Sequence, residues 1–324
     1  MPSESAFKNL NYQPFSLENL VEANRRQLTA SRQSMRWMYS SFFGGWTKDP
    51  ALMMLPMDDH GFHRGDAVFE AIKFKKRRAY LMKEHLLRLQ RSALRIGLDI
   101  PWRMAQIEEV LMEGLREVED CLTMGLLRIF VTRGPGDFSP NPYSTLGSQL
   151  YCVITDLAPM KDDWIKRGCR VGVSGISVKP SPFPQIKSCN YLPNVLMKKE
   201  AVDRGLDFVI SLDASGFLAE SATENFAWID DEGALCVPRS HNILDGCTLV
   251  RVMELAKSCG IKVREQDATP EQLSSAKGAL MIGTTIDVIP VEHFVLSDLI
   301  PKQISWSTVD PVIFLLRKKI LGEQ

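Results

Sequence analysis

An α+β fold of two mixed domains with a cleft between them is what this sequence predicts. The chain has 324 residues, about twice the roughly 150-residue scale of a single domain. Short period-two apolar runs alternate along it with segments of helical spacing. Its composition, 45% hydrophobic and 24% charged, is ordinary for a globular protein and supplies enough apolar side chains for sizeable cores. The expected partition is an N-terminal extension over residues 1–37, a small mixed domain over 38–158 and a larger domain over 159–324, joined in the stretch 156–161.

Taken in order, Ser16 is placed to cap a helix running from Leu17 toward Met35. Residues 38–43 and 52–55 read as short strands separated by turns at Gly44-Gly45 and Lys48-Asp49-Pro50. Residues 68–74 alternate as a strand should. From Glu84 to Ile96, Leu86, Leu89, Ala93 and Ile96 recur at helical spacing until Gly97 stops the helix. A second helix is expected over 102–118, followed by paired strands at 126–131 and 149–154. Beyond the junction, 169–178 reads as a strand, and the three prolines of 179–184 make a stiff loop that delivers Lys187. A helix up to Gly205, a strand at 208–212, a hairpin-like stretch at 226–237, a helix over 249–258 closed by Gly260 and a strand at 279–282 complete the reading.

Composition also bounds function. The 39 basic and 39 acidic residues cancel, which gives no electrostatic case for nucleic acid or an anionic membrane. Seven scattered cysteines without a C-x-x-C pair read as reduced thiols, and the five histidines show no metal-ligand spacing. The first eight residues lack an apolar core and no run of about 18 apolar residues occurs. A cytoplasmic protein that binds no metal is the expectation.

The chemistry centres on Lys187, in Ile186-Lys187-Ser188-Cys189-Asn190-Tyr191, and on Glu220 and Asn225 in a second polar segment. A lysine and a carboxylate at the edges of apolar runs suit a cofactor with an aldehyde at one end and a ring nitrogen at the other, which is pyridoxal 5'-phosphate chemistry. Gly246-Cys247-Thr248 opens a helix whose N–H groups suit a phosphate. Gly283-Thr284-Thr285 ends a strand with further donors, and Arg88 brings a fork of N–H groups from its helix. Each has an ordinary alternative: a solvated lysine, a hairpin carboxylate, an N-cap threonine, a simple turn, an exposed helix charge.

Together these segments carry a resemblance. His60-Gly61-Phe62-His63-Arg64-Gly65-Asp66, Phe69-Glu70, Glu84-His85-Leu86-Leu87-Arg88-Leu89, Lys187 with Asn190-Tyr191-Leu192, Glu220 to Asn225, Leu244 to Thr248, and Gly283-Thr284-Thr285 occur in one order over residues 38–295. The chain resembles the class IV aminotransferases, the fold-type IV pyridoxal phosphate enzymes that include branched-chain and D-amino acid aminotransferases and aminodeoxychorismate lyase. The resemblance implies a D-amino acid aminotransferase-like fold with the cofactor between two domains. It implies Lys187 as Schiff-base lysine and proton carrier, Glu220 as partner of the pyridine nitrogen, and Tyr191 as donor to the phenolic oxygen. Arg88, Cys247, Thr248 and Thr284 are implied as the phosphate cup, and Phe69, Lys73 and Thr285 as the substrate side. A homodimer, an amino acid donor and 2-oxoglutarate as acceptor are implied as well.

Where the family's members differ, this chain is mixed. Branched-chain enzymes carry a Tyr and an Arg about the Phe-Glu-Gly strand, whereas here Arg64 and Lys73 stand there and Ala71 replaces the glycine. The Gly65-Asp66 and Lys73 pattern resembles D-amino acid enzymes, yet the turn after Thr132-Arg133-Gly134 lacks their carboxylate trap. That turn is closer to the lyase, while Glu224-Asn225 and Thr284-Thr285 are closer to the aminotransferases. Arg64, Arg128 and Arg133 are the candidates for a substrate carboxylate. The leading expectation is transamination of a branched-chain or other apolar L-amino acid, with the lyase or a D-amino acid enzyme as the alternative.

Overall fold

Ser16 caps the first helix as its position predicts. In the computed structural model, which describes residues 14–297, 302–306 and 309–324, the Ser16 side chain accepts from the Asn19 N–H while Asn19 reaches back to the Ser16 N–H. The first thirteen residues of the expected extension, including the segment read for a leader, lie outside the described residues. The helix α1 (Leu17–Arg26) does not continue toward Met35. Thr29, extended and accepting from the Arg32 N–H, starts a separate turn α2 (Ala30–Gln33), and Met35 already begins β1 (Met35–Ser40). The expected strand over 52–55 is also absent. Asp49 accepts from the Ala51 N–H and winds residues 50–52 into a 3-10 turn, onto which Asn24 and Arg32 donate at the Ala51 and Pro50 carbonyls (3.0 and 3.1 Å).

The first sheet adds β2 (Gly45–Thr47), β3 (Ala67–Lys75), β4 (Arg78–Ala79), β5 (Met124–Thr132) and β6 (Gln149–Asp156), with the short α3 (His60–His63) before β3. Its order is β2-β1-β6-β5-β3-β4, antiparallel throughout. The even positions of β3, Val68, Ile72 and Phe74, face α4 (Met82–Arg95) and α5 (Met104–Val118) in one apolar core with Leu89 and Leu111. Alternation then turns Phe69, Ala71 and Lys73 to the opposite face, beside Phe130, Arg128 and Leu126 of β5. Gly97, at φ +58°, ends α4 where the sequence places its stop.

The second sheet comprises β7 (Cys169–Val173), β8 (Phe208–Ile210), β9 (Asn225–Ile229), β10 (Leu235–Val237), β11 (Val263–Glu265), β12 (Gly278–Gly283), β13 (Asp287–Ser297) and β14 (Lys302–Ser305). Its path is β11-β10-β9-β12-β13-β7-β8, with β14 on β13. The helices α6 (Asp162–Lys166), α7 (Leu192–Asp203), α8 (Cys247–Ser258) and α9 (Pro311–Gly322) accompany it. β7 stops at Val173 rather than near residue 178. There the Ser174 hydroxyl donates to Glu200 (2.6 Å) and accepts from the Ile176 N–H (3.0 Å), which turns the chain off the sheet. Among the described residues no helix is long and apolar enough to cross a membrane, no cluster of His, Cys, Asp or Glu could hold a metal, and all seven cysteines are free thiols.

Candidate active site

Lys187 is held by backbone pairing along β3. Its carbonyl accepts from the Phe69 N–H (3.0 Å), the Cys189 N–H donates to the Ala67 carbonyl (2.9 Å), and the Lys187 N–H reaches Ser92 Oγ on α4 (3.2 Å). Gly65 makes this docking possible. It sits at φ +67°, and a side chain there would meet Asn190 Oδ1 at 2.7 Å. The Lys187 ammonium lies 4.6 Å from the centre of the Phe69 ring, and Tyr191 meets that ring edge-on at 5.2 Å. Desolvation, with the Arg88 charge added, lowers Lys187 to about 8. An amine there is half free of its proton at about pH 8, so a far larger share is available as the nucleophile near neutrality than at the ordinary lysine value of 10.5.

The segment that leads into β9 supplies the acid. Glu220 Oε2 accepts from the Leu244 N–H (2.9 Å), and Asn225 Nδ2 donates to the Leu244 carbonyl (2.9 Å). Burial raises the Glu220 carboxyl to about 7 against that hydrogen bond and the cations of the site. Gly246 follows at the N-cap of α8, where a Cβ would lie 2.1 Å from Asn225 Oδ1. With no side chain capping α8, its first N–H groups and dipole present an anion-binding end beside the buried Cys247 and Thr248. The Gly283-Thr284-Thr285 turn begins beside the Glu220–Asn225 segment, Gly283 lying against Glu224.

Arg88 comes to this helix end from α4, with its fork already partnered. Nε and Nη2 each meet a Glu70 oxygen at 2.7 Å, and Nη1 donates to the Asp245 carbonyl at 3.0 Å. His85 Nδ1 lies 2.7 Å from the same carboxylate. Burial would drive Glu70 up, yet Arg88 and His85 hold it down at about 2.

Lys187, Tyr191 and Glu220 therefore line one cavity, and Arg88, Cys247 and Thr248 gather at the α8 end. Thr284 is half-buried in its turn and Thr285 is exposed. The remaining candidates stand otherwise. Lys73 makes a buried ion pair with Asp287, so its charge is already partnered on the face it shares with Phe69 and Ala71. Arg64 is exposed and donates to the His63 and Phe138 carbonyls. Arg133 grips Asp66 through two 2.9 Å bonds and holds the Ile96 and Gly97 carbonyls. Arg128, opposite Ala71, bonds the Thr155 hydroxyl and has no carboxylate within ion-pair distance among the described residues. Two features escaped the sequence reading: the Glu70–His85–Arg88 cluster, and Lys179, which lines the Lys187 cavity. Lys179 opens the three-proline loop, the one local sign of it.

The fold and this arrangement define a class. Residues 67–294 match the family described as amino-transferase class IV; the chain belongs to that family and is an aminotransferase. It is 35% identical over 301 residues to the chloroplastic D-amino-acid transaminase of Arabidopsis thaliana, covering 90% of this chain and 78% of the relative. It is 30% identical over 244 residues to the branched-chain-amino-acid aminotransferase of Escherichia coli K12, covering 72% and 77%. The T.th. branched-chain amino acid aminotransferase, solved with pyridoxamine 5'-phosphate, superposes with a TM-score of 0.80 at 25% identity over 90% of this chain and 95% of that one. The α+β class IV fold expected from sequence is thus the fold observed.

Proposed function

We propose that this chain is a pyridoxal 5'-phosphate-dependent aminotransferase that moves an amino group from an apolar amino acid, branched-chain ones included, to 2-oxoglutarate. The observation that carries it is the desolvated Lys187 amine in one cavity with a buried carboxylate and a tyrosine, beside an uncapped helix end and Arg88. That donor set fits the cofactor's aldehyde, ring nitrogen, phenolic oxygen and phosphate in turn. When bound, the cofactor supplies an aldehyde for amines and a ring that withdraws electrons from the amine's carbon. Lys187 holds the reactive amine and later moves the proton, Glu220 faces the ring nitrogen, and Tyr191 the phenolic oxygen. Arg88, Cys247, Thr248 and Thr284 take the phosphate. Phe69 and Phe130 favour an apolar side chain, and Arg128 is the cation left for a carboxylate, with Thr285 at the rim.

The test supplies L- and D-leucine, valine, isoleucine and alanine with 2-oxoglutarate and resolves the glutamate formed. L-Glutamate from the L-branched-chain donors is the expected result. A D-amino acid donor is the second reading, favoured by the 35% relative matched over 90% of this chain; glutamate from D-donors alone would establish it. No glutamate from any donor, with pyruvate released from aminodeoxychorismate, would establish a lyase.

We also assign the chain to a cytoplasmic homodimer whose two domains meet near residue 158. Phe62 on α3 and Phe138, Tyr143 and Leu146 on the β5–β6 connection are exposed, with Phe42 and Phe43 exposed on the β1–β2 turn, and the His63 ring tilts against Phe138 at 4.9 Å. Apolar surface of this kind marks an interface. Sedimentation is expected to give twice the 36.5 kDa chain mass, and Phe62→Asp to shift it toward the single chain; a wild-type monomer rejects the assignment.

A further inference from the structure

Lys179 is a second lysine in the Lys187 cavity, and the roles above leave it without a task. It opens the loop Lys179-Pro180-Ser181-Pro182-Phe183-Pro184, which is pinned at both ends. The Val178 N–H donates to the Leu212 carbonyl (3.1 Å), and Gln185 Nε2 donates to the Ser240 carbonyl (3.0 Å). With three prolines between the pins, the loop has little backbone freedom, so the point from which the Lys179 side chain leaves the backbone is fixed beside the cavity. It is half-buried, lines the cavity with Lys187, Tyr191 and Glu220, and sets its ammonium 5.8 Å from the centre of the Tyr191 ring. No carboxylate of the described residues lies within ion-pair distance of it. The charged groups that bear on Glu220 are Lys187, Lys179 and Arg88, with the Leu244 N–H as its hydrogen-bond donor; on Lys179 it is Glu220 that bears.

We propose that Lys179 is a positioning residue that decides which partner holds the proton shared by Glu220 and the ring nitrogen of the cofactor. This rests on the pyridoxal phosphate reading above. A buried carboxyl facing a ring nitrogen shares one proton with it, held either as neutral acid with neutral ring or as carboxylate with protonated ring. The two arrangements have the same atoms and net charge. A fixed ammonium near the carboxyl stabilises the carboxylate form and so sends the proton to the ring, where it strengthens electron withdrawal. Lys187 cannot serve this purpose, because its own amine is the reacting group.

The test uses the full chain with Lys179→Met and Lys179→Arg. In cofactor-free protein, the carbon NMR titration of Glu220 is expected to move up by about one pH unit in Lys179→Met and to stay in place in Lys179→Arg. With nitrogen-15-labelled pyridoxal 5'-phosphate, the ring-nitrogen shift should read protonated in wild type and in Lys179→Arg, and move toward neutral in Lys179→Met. An unmoved Glu220 titration, or a ring nitrogen equally protonated in Lys179→Met, overturns the role. If wild-type protein develops no visible band with the cofactor, the parent reading fails, and the Lys179 role with it; a band in wild type with an unmoved ring nitrogen overturns only the latter.

Discussion

Lys187→Ala protein is expected to develop no visible absorbance band with pyridoxal 5'-phosphate and to transaminate about 10⁴-fold more slowly than wild type. The magnitude follows from the two tasks the residue holds, the amine that meets the aldehyde and the base that moves the proton. Neighbouring groups cannot substitute. Arg88 keeps its proton, held on by Glu70 despite its burial, and burial lifts the Tyr191 hydroxyl well above its ordinary value. His85 is fully buried against Glu70. The wild-type rate of band formation should rise with pH through about 8, where desolvation and Arg88 have brought the Lys187 amine, and level off above it. A rise centred near the ordinary lysine value of 10.5 would show that the amine is solvated and would remove the argument for its reactivity. Lys187→Ala protein with the wild-type band would move the aldehyde to another lysine, and Lys179, which lines the same cavity, is the one to test.

What made Lys187 legible in sequence is that its surroundings are written in residues with few other uses. Gly65, Asn190, Asn225 and Gly246 serve close backbone approaches, and each is local to a motif. Helix ends were legible for the same reason, since Gly97, Gly205 and Gly260 all sit at positive φ where a helix stops. The failures share a different cause: their decisive partner is far away in the chain. Residues 52–55 are a short apolar run like a buried strand, but Asn24 of α1 and Arg32 of α2 donate to the turn that begins at Pro50. The ion pair of Lys73 with Asp287, 214 positions on, was out of view in the same way. β13 carries Pro290 within it, which argues against a strand when read alone. In α9 the buried stripe of Ile313, Leu316 and Ile320 is diluted by the exposed Phe314 and Leu321. Arg88 lay between these cases, its helix and direction legible and its partner at Glu70 not.

That partner carries the second large effect. Glu70→Ala should destabilise the fold by about 3–5 kcal/mol, because it leaves the Arg88 and His85 side chains buried with their shared carboxylate gone. Removing Glu119, whose ion pair with Arg77 is half exposed, should cost only about 0–1 kcal/mol and serves as the control for charge loss alone. The pH dependence gives the mechanism. Glu70 is held at about 2 in the folded chain against an ordinary 4.5, so its contribution is present in full above the ordinary value and is lost as pH falls from there through about 2. The stability gap between wild type and Glu70→Ala, measured by urea unfolding, should therefore narrow between neutral pH and pH 3. An equal gap at both would mean that packing rather than charge sets the cost. Glu70→Gln separates the two further, since it keeps the volume and one acceptor oxygen but no charge. It should fall between wild type and Glu70→Ala in stability and, with the Arg88 fork no longer fixed in two places, weaken pyridoxal 5'-phosphate binding more than a loss of stability alone accounts for.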